Sequence, residues 1–353
     1  MSTPSTRRST LQLTWPVGLV PLQALVLLVL IVAGAELLVR NETVQDALLP
    51  PLIEGDDQIA GKLLALDRQV ARSGPPGCII LGSSMAWHGI DPAVVGQTFE
   101  DNFHQPFWCF NFSLRGMDGA AAGRLATILV REYHPHLLIY GTHFRDYRPF
   151  WNSLDIPWTN YYLGAPTLDG WLQAHLYVMR YALSYSYLIQ YHQLPDPVLV
   201  SSTPDGFAPV ARASHAVGQN GLNVSKDKYF KSYAAISRTY AMDPDTLAGL
   251  EQLTALKSTD LQVVVVEMPM PSGMVQALPR GDDTQRMFHD AVQARVDPHG
   301  VLFWQDTGGA QIPDDGWWNL FHLNTKGAGV FSHWLAGRLV DAVRTGTLPS
   351  PVR

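Results

Sequence analysis

Residues 78–92 read CIILGSSMAWHGIDP. The apolar run 78–81 passes without a break into Gly82-Ser83-Ser84. A short continuous apolar run ending in a turn signal reads as a strand buried on both faces, as in a parallel sheet. Gly82 allows a tight backbone exit. A helix follows, so Ser84 stands at a strand-to-helix turn. There its hydroxyl projects from the sheet's carboxyl edge, and the helix N-terminus adds amide donors for a developing oxyanion. The ordinary alternative is that Ser84 merely caps the helix. Gly-Ser-Ser alone does not separate the two.

Four further apolar runs lie at 108–112, 137–140, 261–267 and 301–305. Helical patterns lie at 120–132, 244–257, 283–295 and 325–344. Strand–helix alternation implies an α/β fold: a three-layer sandwich around a five-stranded parallel sheet. In such sheets ligands sit beyond the carboxyl ends of the strands. One stretch, about 147–233, breaks the alternation and reads as an insertion or lid. It opens with YRPFWNSLDIPWTNYYLG and continues with a helical pattern over 171–192. Its Trp151, Trp158, Tyr161 and Tyr162 suit stacking on sugar rings, or else packing on the sheet or the membrane.

Upstream, 17–39 is apolar except for Glu36 and is long enough to span a bilayer. Arg7 and Arg8 precede it, and acidic residues dominate after Arg40. The positive-inside rule puts 1–16 in the cytoplasm and the remainder outside, as a single-pass protein of the cell membrane. Ala33-Gly34-Ala35 also fits a signal-peptidase site. The apolar run continues through Leu38 and Val39, which favours an uncleaved anchor. Residues 40–75 read as a connector and 76–353 as the folded domain with its insertion.

The 353 residues carry a net charge of −6, so no basic field draws nucleic acid. Cys78 and Cys109 are the two cysteines. They make neither a disulfide framework nor a metal spacing, and no cofactor is implied. They read as buried apolar residues, with a single bridge left open.

A serine needs a base. Residues 317–339 read WWNLFHLNTKGAGVFSHWLAGRL. This places His322 in a loop after the fifth strand and before the last helix, again at the carboxyl edge. Histidine is the usual partner of a serine nucleophile.

Together these segments resemble the SGNH/GDSL hydrolase superfamily. Gly82-Ser83-Ser84 stands where that family's first block carries the nucleophile, and Asn319-Leu-Phe-His322 stands where its last block carries Asp-x-x-His. Asn111-Phe-Ser-Leu-Arg-Gly116 fits the second block, and Gly141-Thr142-His143 occupies the place of Gly-x-Asn. The Gly-Ser-Ser variant resembles the membrane-anchored branch, which includes the D-alanyl transfer protein of teichoic-acid modification and alginate-type O-acetyltransferases. The resemblance implies a flavodoxin-like strand order and a Ser84 acyl-enzyme with His322 as base. It implies an oxyanion hole from the Ser84 and Gly116 amides and the third-block side chain, here His143. Arg145 and Asp146 follow and offer polar contacts.

Asn319 replaces the family's Asp. Asn orients an imidazole but lacks the charge that stabilises imidazolium. Three alternatives stand: Asn319 supports a Ser–His pair, Asp314 or Asp315 supplies the carboxylate, or the chain is inactive. Trp317 and Trp318 are candidates for lining an acceptor site. The implied function is a membrane-anchored, extracytoplasmic serine esterase or O-acyltransferase acting on a cell-surface glycan or another acylated substrate. The alternative is an inactive SGNH-like module that binds glycan or scaffolds a membrane acyltransferase.

Overall fold

The five apolar runs pair into one sheet. In the computed structural model they are β1 (Cys78–Gly82), β2 (Cys109–Asn111), β3 (Leu137–Thr142), β4 (Gln262–Glu267) and β5 (Leu302–Trp304). All pairings are parallel and the order is β2-β1-β3-β4-β5, the flavodoxin-like order. Every residue of β1, β3 and β4 is buried, which is why these runs read as continuously apolar. The structure describes residues 20–48, 58–148, 157–179, 181, 189–190, 202–214, 216–218, 221–227, 229–305 and 308–351. The segment 1–16 expected in the cytoplasm, the first residues of the apolar run and Trp151 fall outside them.

The period of two along each strand divides the core. Ile79, Leu81, Leu138, Val263 and Val265 face one cluster. Cys78, Ile80, Ile139, Val264 and Val266 face the other. The first is covered by α3 (Gln58–Ser73), α6 (Gly119–Tyr133) and the helices Pro244–Thr254 and Gly281–Val296. The second is covered by α5 (Pro92–Phe103) and the last helix, Thr325–Arg344. The short helix Ser84–Gly89, α4, joins β1 to α5. Cys78 and Cys109 sit in register on neighbouring strands as buried free thiols.

At the N-terminus, α1 (Val20–Arg40) is apolar and long enough to cross a membrane, and α2 (Glu42–Leu48) follows. Only Glu36 and Val39 of α1 are buried.

The insertion begins with α7 (Pro157–Tyr162) and α8 (Leu168–His175). Of the helix expected over 171–192, the described residues show α8, which starts earlier and is interrupted at Leu176, and helical backbone again at 177–179, 181 and 189–190. Thr167 caps the start of α8 by accepting the Gly170 amide at 3.0 Å. Beyond its end, the amides of Tyr177 and Val178 donate to the Glu36 carboxylate at 2.9 and 3.0 Å rather than to the helix's own carbonyls. The Glu36 carboxylate thus caps the helical residues that resume at Tyr177, a contact from a distant residue that local periodicity does not register.

Candidate active site

Ser84 is the first residue of α4, two residues past the end of β1. The corner depends on Gly82, whose φ is +153°. A Cβ there would lie 2.3 Å from the Gly141 carbonyl and 2.5 Å from the Ala86 methyl. Only glycine lets β1 turn this close to β3. The far end of α4 is clamped by the buried Asn111. Its Nδ2 donates to the Ala86 and Ile90 carbonyls at 2.9 and 2.8 Å, and its Oδ1 accepts the Ser113 amide at 3.0 Å. The Asn111 side chain therefore holds the helix that begins at Ser84 in place.

His322 comes from the loop before the last helix, and its Nε2 lies 2.8 Å from Ser84 Oγ. Its Nδ1 lies 3.0 Å from Asn319 Oδ1. That same oxygen accepts the amides of Phe321 at 2.8 Å and His322 at 2.9 Å. Two fixed amide donors identify the atom as the amide oxygen, so Nδ1 carries the proton and Nε2 is left to accept from Ser84. Of the groups considered for orienting the imidazole, Asn319 is the one in contact. Asp315 instead pairs with Lys326 at 2.7 Å across an exposed surface, and Asp314 is exposed beside it. Both lie in a 3₁₀ turn, Asp314–Gly316, upstream of the histidine loop.

The return limb of the insertion braces this loop. Asp227 accepts the Leu320 amide at 2.8 Å and the Tyr229 amide at 2.7 Å. The Ser214 amide donates to the Trp317 carbonyl, and the Thr325 amide to the Val210 carbonyl. The insertion is part of the site's framework.

In the second block the Met117 amide closes a turn onto the Leu114 carbonyl at 3.2 Å, with Gly116 at φ +71°. The Leu114 amide ties that turn to the Gly82 carbonyl at 3.0 Å. In the third block His143 is fully buried. Its Nδ1 accepts the Arg145 amide at 3.4 Å, and its Nε2 faces Met270 Sδ at 3.2 Å. Its ring donor is thus directed at sulfur, a weak acceptor. Asp146 accepts the His143 amide at 2.9 Å. Burial pushes the Asp146 carboxyl up to about 7, against the opposing pull of Arg145. Arg145 donates to Tyr233 Oη at 2.9 Å.

A second imidazole stands near the first. His88, one turn beyond Ser84 on α4, hydrogen-bonds the Ala208 carbonyl through Nδ1 at 2.8 Å. Its ring centroid is 5.7 Å from that of His322 and 5.2 Å from Trp318. Trp318 lies 5.5 Å from His322, and Tyr229 completes that side at 6.5 Å. Burial holds the His322 pKa well below the ordinary value, with His88 and Arg145 the next contributors. The imidazole is therefore neutral at pH 7 and able to accept a proton.

The sequence missed His88, Asp227 and the clamping role of Asn111. The spacing Ser84-x-x-x-His88 puts both on one helical face and was a usable signal. Trp318 lies beside His322, but Trp317 does not. It is buried in the core beneath the last helix, because a β-bridge to Leu323 directs its side chain inward. Trp158 is buried, and Tyr161 and Tyr162 are half-buried against the α3–α6 face. Trp158 and Tyr162 line a cavity of about 230 Å³ together with Asp67, Glu132 and Tyr133. Glu132 and Tyr133 end α6, ~20 Å along that helix from its start beside the second-block turn. These aromatics therefore do not line the Ser84 site.

No family model and no curated protein matches the chain. Among solved structures, the inhibitor-bound form of an aryl esterase of M. smegmatis is similar to it. The identity is 11%, the TM-score 0.35, and the match covers 75% of this chain and 98% of that one.

Proposed function

We propose that this protein is a membrane-anchored, extracytoplasmic serine esterase or O-acyltransferase that acts on acylated cell-surface glycan. The observation that carries the reading is the file Ser84 Oγ–His322 Nε2–Asn319 Oδ1, with spacings of 2.8 and 3.0 Å. Nucleophile, base and orienting group are in hydrogen-bond reach, which is the geometry a serine nucleophile requires.

His322 Nε2 takes the proton from Ser84 as Oγ attacks the ester carbonyl. The amides of Ser84 and Gly116 receive the oxyanion. The C–O bond to the leaving alcohol breaks, and that alcohol takes the proton from His322. Water or a sugar hydroxyl then enters, gives its proton to His322 and attacks the acyl-enzyme. Ser84 recovers a proton as the acyl group departs. Asn319 holds the imidazole tautomer through both halves. Trp318 and His88 flank the space beside His322 where an acceptor would sit. The anchor and the Gly-Ser-Ser variant support a surface glycan as the acceptor or donor.

Full-length protein in detergent tests the reading on p-nitrophenyl acetate, with and without added oligosaccharide acceptors. It predicts nitrophenol release that Ser84→Ala and His322→Ala each reduce by several orders of magnitude, because the pair acts as a unit. Acetylated oligosaccharide would identify transfer over hydrolysis. Equal release by wild type and Ser84→Ala would overturn the proposal and favour a non-catalytic glycan-binding module.

A further inference from the structure

The last turn of α1 is fastened to the insertion. Besides the two amides held by Glu36, Arg40 donates to Glu36 at 2.7 Å and to the His175 carbonyl at 3.1 Å. Its guanidinium lies 4.6 Å from the centroid of the Tyr177 ring. Val39 packs with Leu64 of α3 and with Tyr181. Residues 175–178 are therefore level with the final turn of α1. The rest of that helix exposes its apolar side chains, from Val20 to Leu38. If α1 spans a bilayer, its charged final turn marks the boundary between hydrocarbon and headgroups.

α8 runs directly into this joint. It turns Gly170 and Ala174 inward, and Gly170 meets α7 so closely that a Cβ would lie 2.3 Å from the Pro157 carbonyl. On the other side Leu168 is 76% exposed and Trp171 43% exposed, with His175 exposed in line behind them. Trp171 stacks on His175 at 5.0 Å, so the indole is one helical turn from the residue that Arg40 holds. Among the described residues, Ile189 is the one other exposed large hydrophobic outside α1. An exposed Leu and Trp ahead of a His–Arg pair is the side-chain set that favours the lipid–water interface.

We infer that α8 lies in the interface of the same bilayer that α1 spans, with Leu168 and Trp171 seated among the lipid headgroups. The inference rests on reading α1 as a membrane anchor. Its occupant is lipid, because the patch adjoins the last turn of α1 through Trp171, His175 and Arg40, and α1 itself exposes an apolar surface of membrane-spanning length. The seat also fixes the position of the catalytic edge. α3 carries Leu64 and Asp67 at the joint, and its Lys62 donates to the Asn111 and Gly206 carbonyls beneath α4 at 2.7 and 2.8 Å. A single rigid helix therefore links the bilayer contact to the nucleophile's support.

The test uses the full chain in vesicles of phosphatidylethanolamine and phosphatidylglycerol, with a bimane label at one introduced cysteine. The label sites are Leu168→Cys, Trp171→Cys, Leu28→Cys within α1, and Gln97→Cys on the opposite face of the sheet. Unlabelled thiols are not at issue, since Cys78 and Cys109 are buried. Lipids carrying a doxyl group near the headgroup should quench the labels at 168 and 171, and lipids doxylated deep in the chain should quench the label at 28. Neither lipid should quench the label at 97. Quenching at 28 with 168 and 171 behaving like 97 would overturn the inference and leave the anchor standing. Protection of 168 and 171 that persists in detergent would likewise overturn it, in favour of a second copy of the chain. Absence of quenching at 28 would remove the anchor reading and the inference with it.

Discussion

In the proposed mechanism, Asn319 places a dipole where a carboxylate would otherwise meet the developing imidazolium. Its Oδ1 serves three hydrogens at once: two loop amides and His322 Nδ1. The His322 pKa lies well below the ordinary imidazole value, chiefly through burial, so the base stays unprotonated under mildly acidic conditions. The acid limb of kcat/KM should therefore fall below about pH 6.5, the ordinary imidazole value. Asn319→Asp adds a negative charge at Nδ1, raises the His322 pKa and stabilises the imidazolium. The acid limb should move to higher pH and the plateau rate should rise. An unmoved limb would mean that Asn319 only shapes the loop. His88 permits a separate test through stability. Burial lowers its pKa to about 4. As pH falls below about 6.5 the unfolded imidazole gains a proton that the native one refuses, so the unfolded state binds more protons and stability drops. This loss continues down to about pH 4. His88→Gln, which keeps a donor for the Ala208 carbonyl, should lessen the fall in the urea midpoint over that window relative to wild type.

At the scale of elements, the site is a meeting of a strand–helix corner with a loop held by the insertion. Asp227 is the main tie, with one carboxylate oxygen on the Leu320 amide and the other on the Tyr229 amide. Asp227→Ala leaves the buried Leu320 amide without that acceptor, a cost of about 1–3 kcal/mol. It should lower kcat more than it raises KM, because it frees the base loop while leaving Ser84 in place. Kinetics with a small neutral ester, set beside urea unfolding, would separate this from general destabilisation. Much of this level was legible in the sequence. The strands were readable because β1, β3 and β4 bury every residue, and Ser84 and His322 because both follow strands at the carboxyl edge. The break at Leu176 was not readable, since Glu36, over a hundred residues away, takes the amides of Tyr177 and Val178 where the helix resumes. Asn111 and Asp227 were hidden for the same reason, because their partners are backbone groups brought near only by the fold. Trp317 and Trp318 are adjacent, yet one is core and the other faces the site, and an irregular loop offers no period to tell them apart.

At the scale of the molecule, three supports converge on Ser84: the sheet, the insertion, and the α1–α3 joint. In the proposed reading, the charge pattern around α1 orients the domain away from the cytoplasm. A periplasm-active reporter fused after residue 75 should be active and a cytoplasm-active one silent, and the full chain should stay with membranes through a high-salt wash. The reverse reporter pattern would contradict this orientation. The central claim is that Ser84 forms an acyl-enzyme with His322 as its base, and the most direct measurement is adduct mapping with a fluorophosphonate. Peptide mass spectrometry should place one phosphonyl group on Ser84. His322→Ala should slow its formation by orders of magnitude, and Ser84→Ala should take up none while unfolding at the wild-type midpoint. An unmodified Ser84 in folded wild-type protein, or an adduct that persists in Ser84→Ala, would contradict the account.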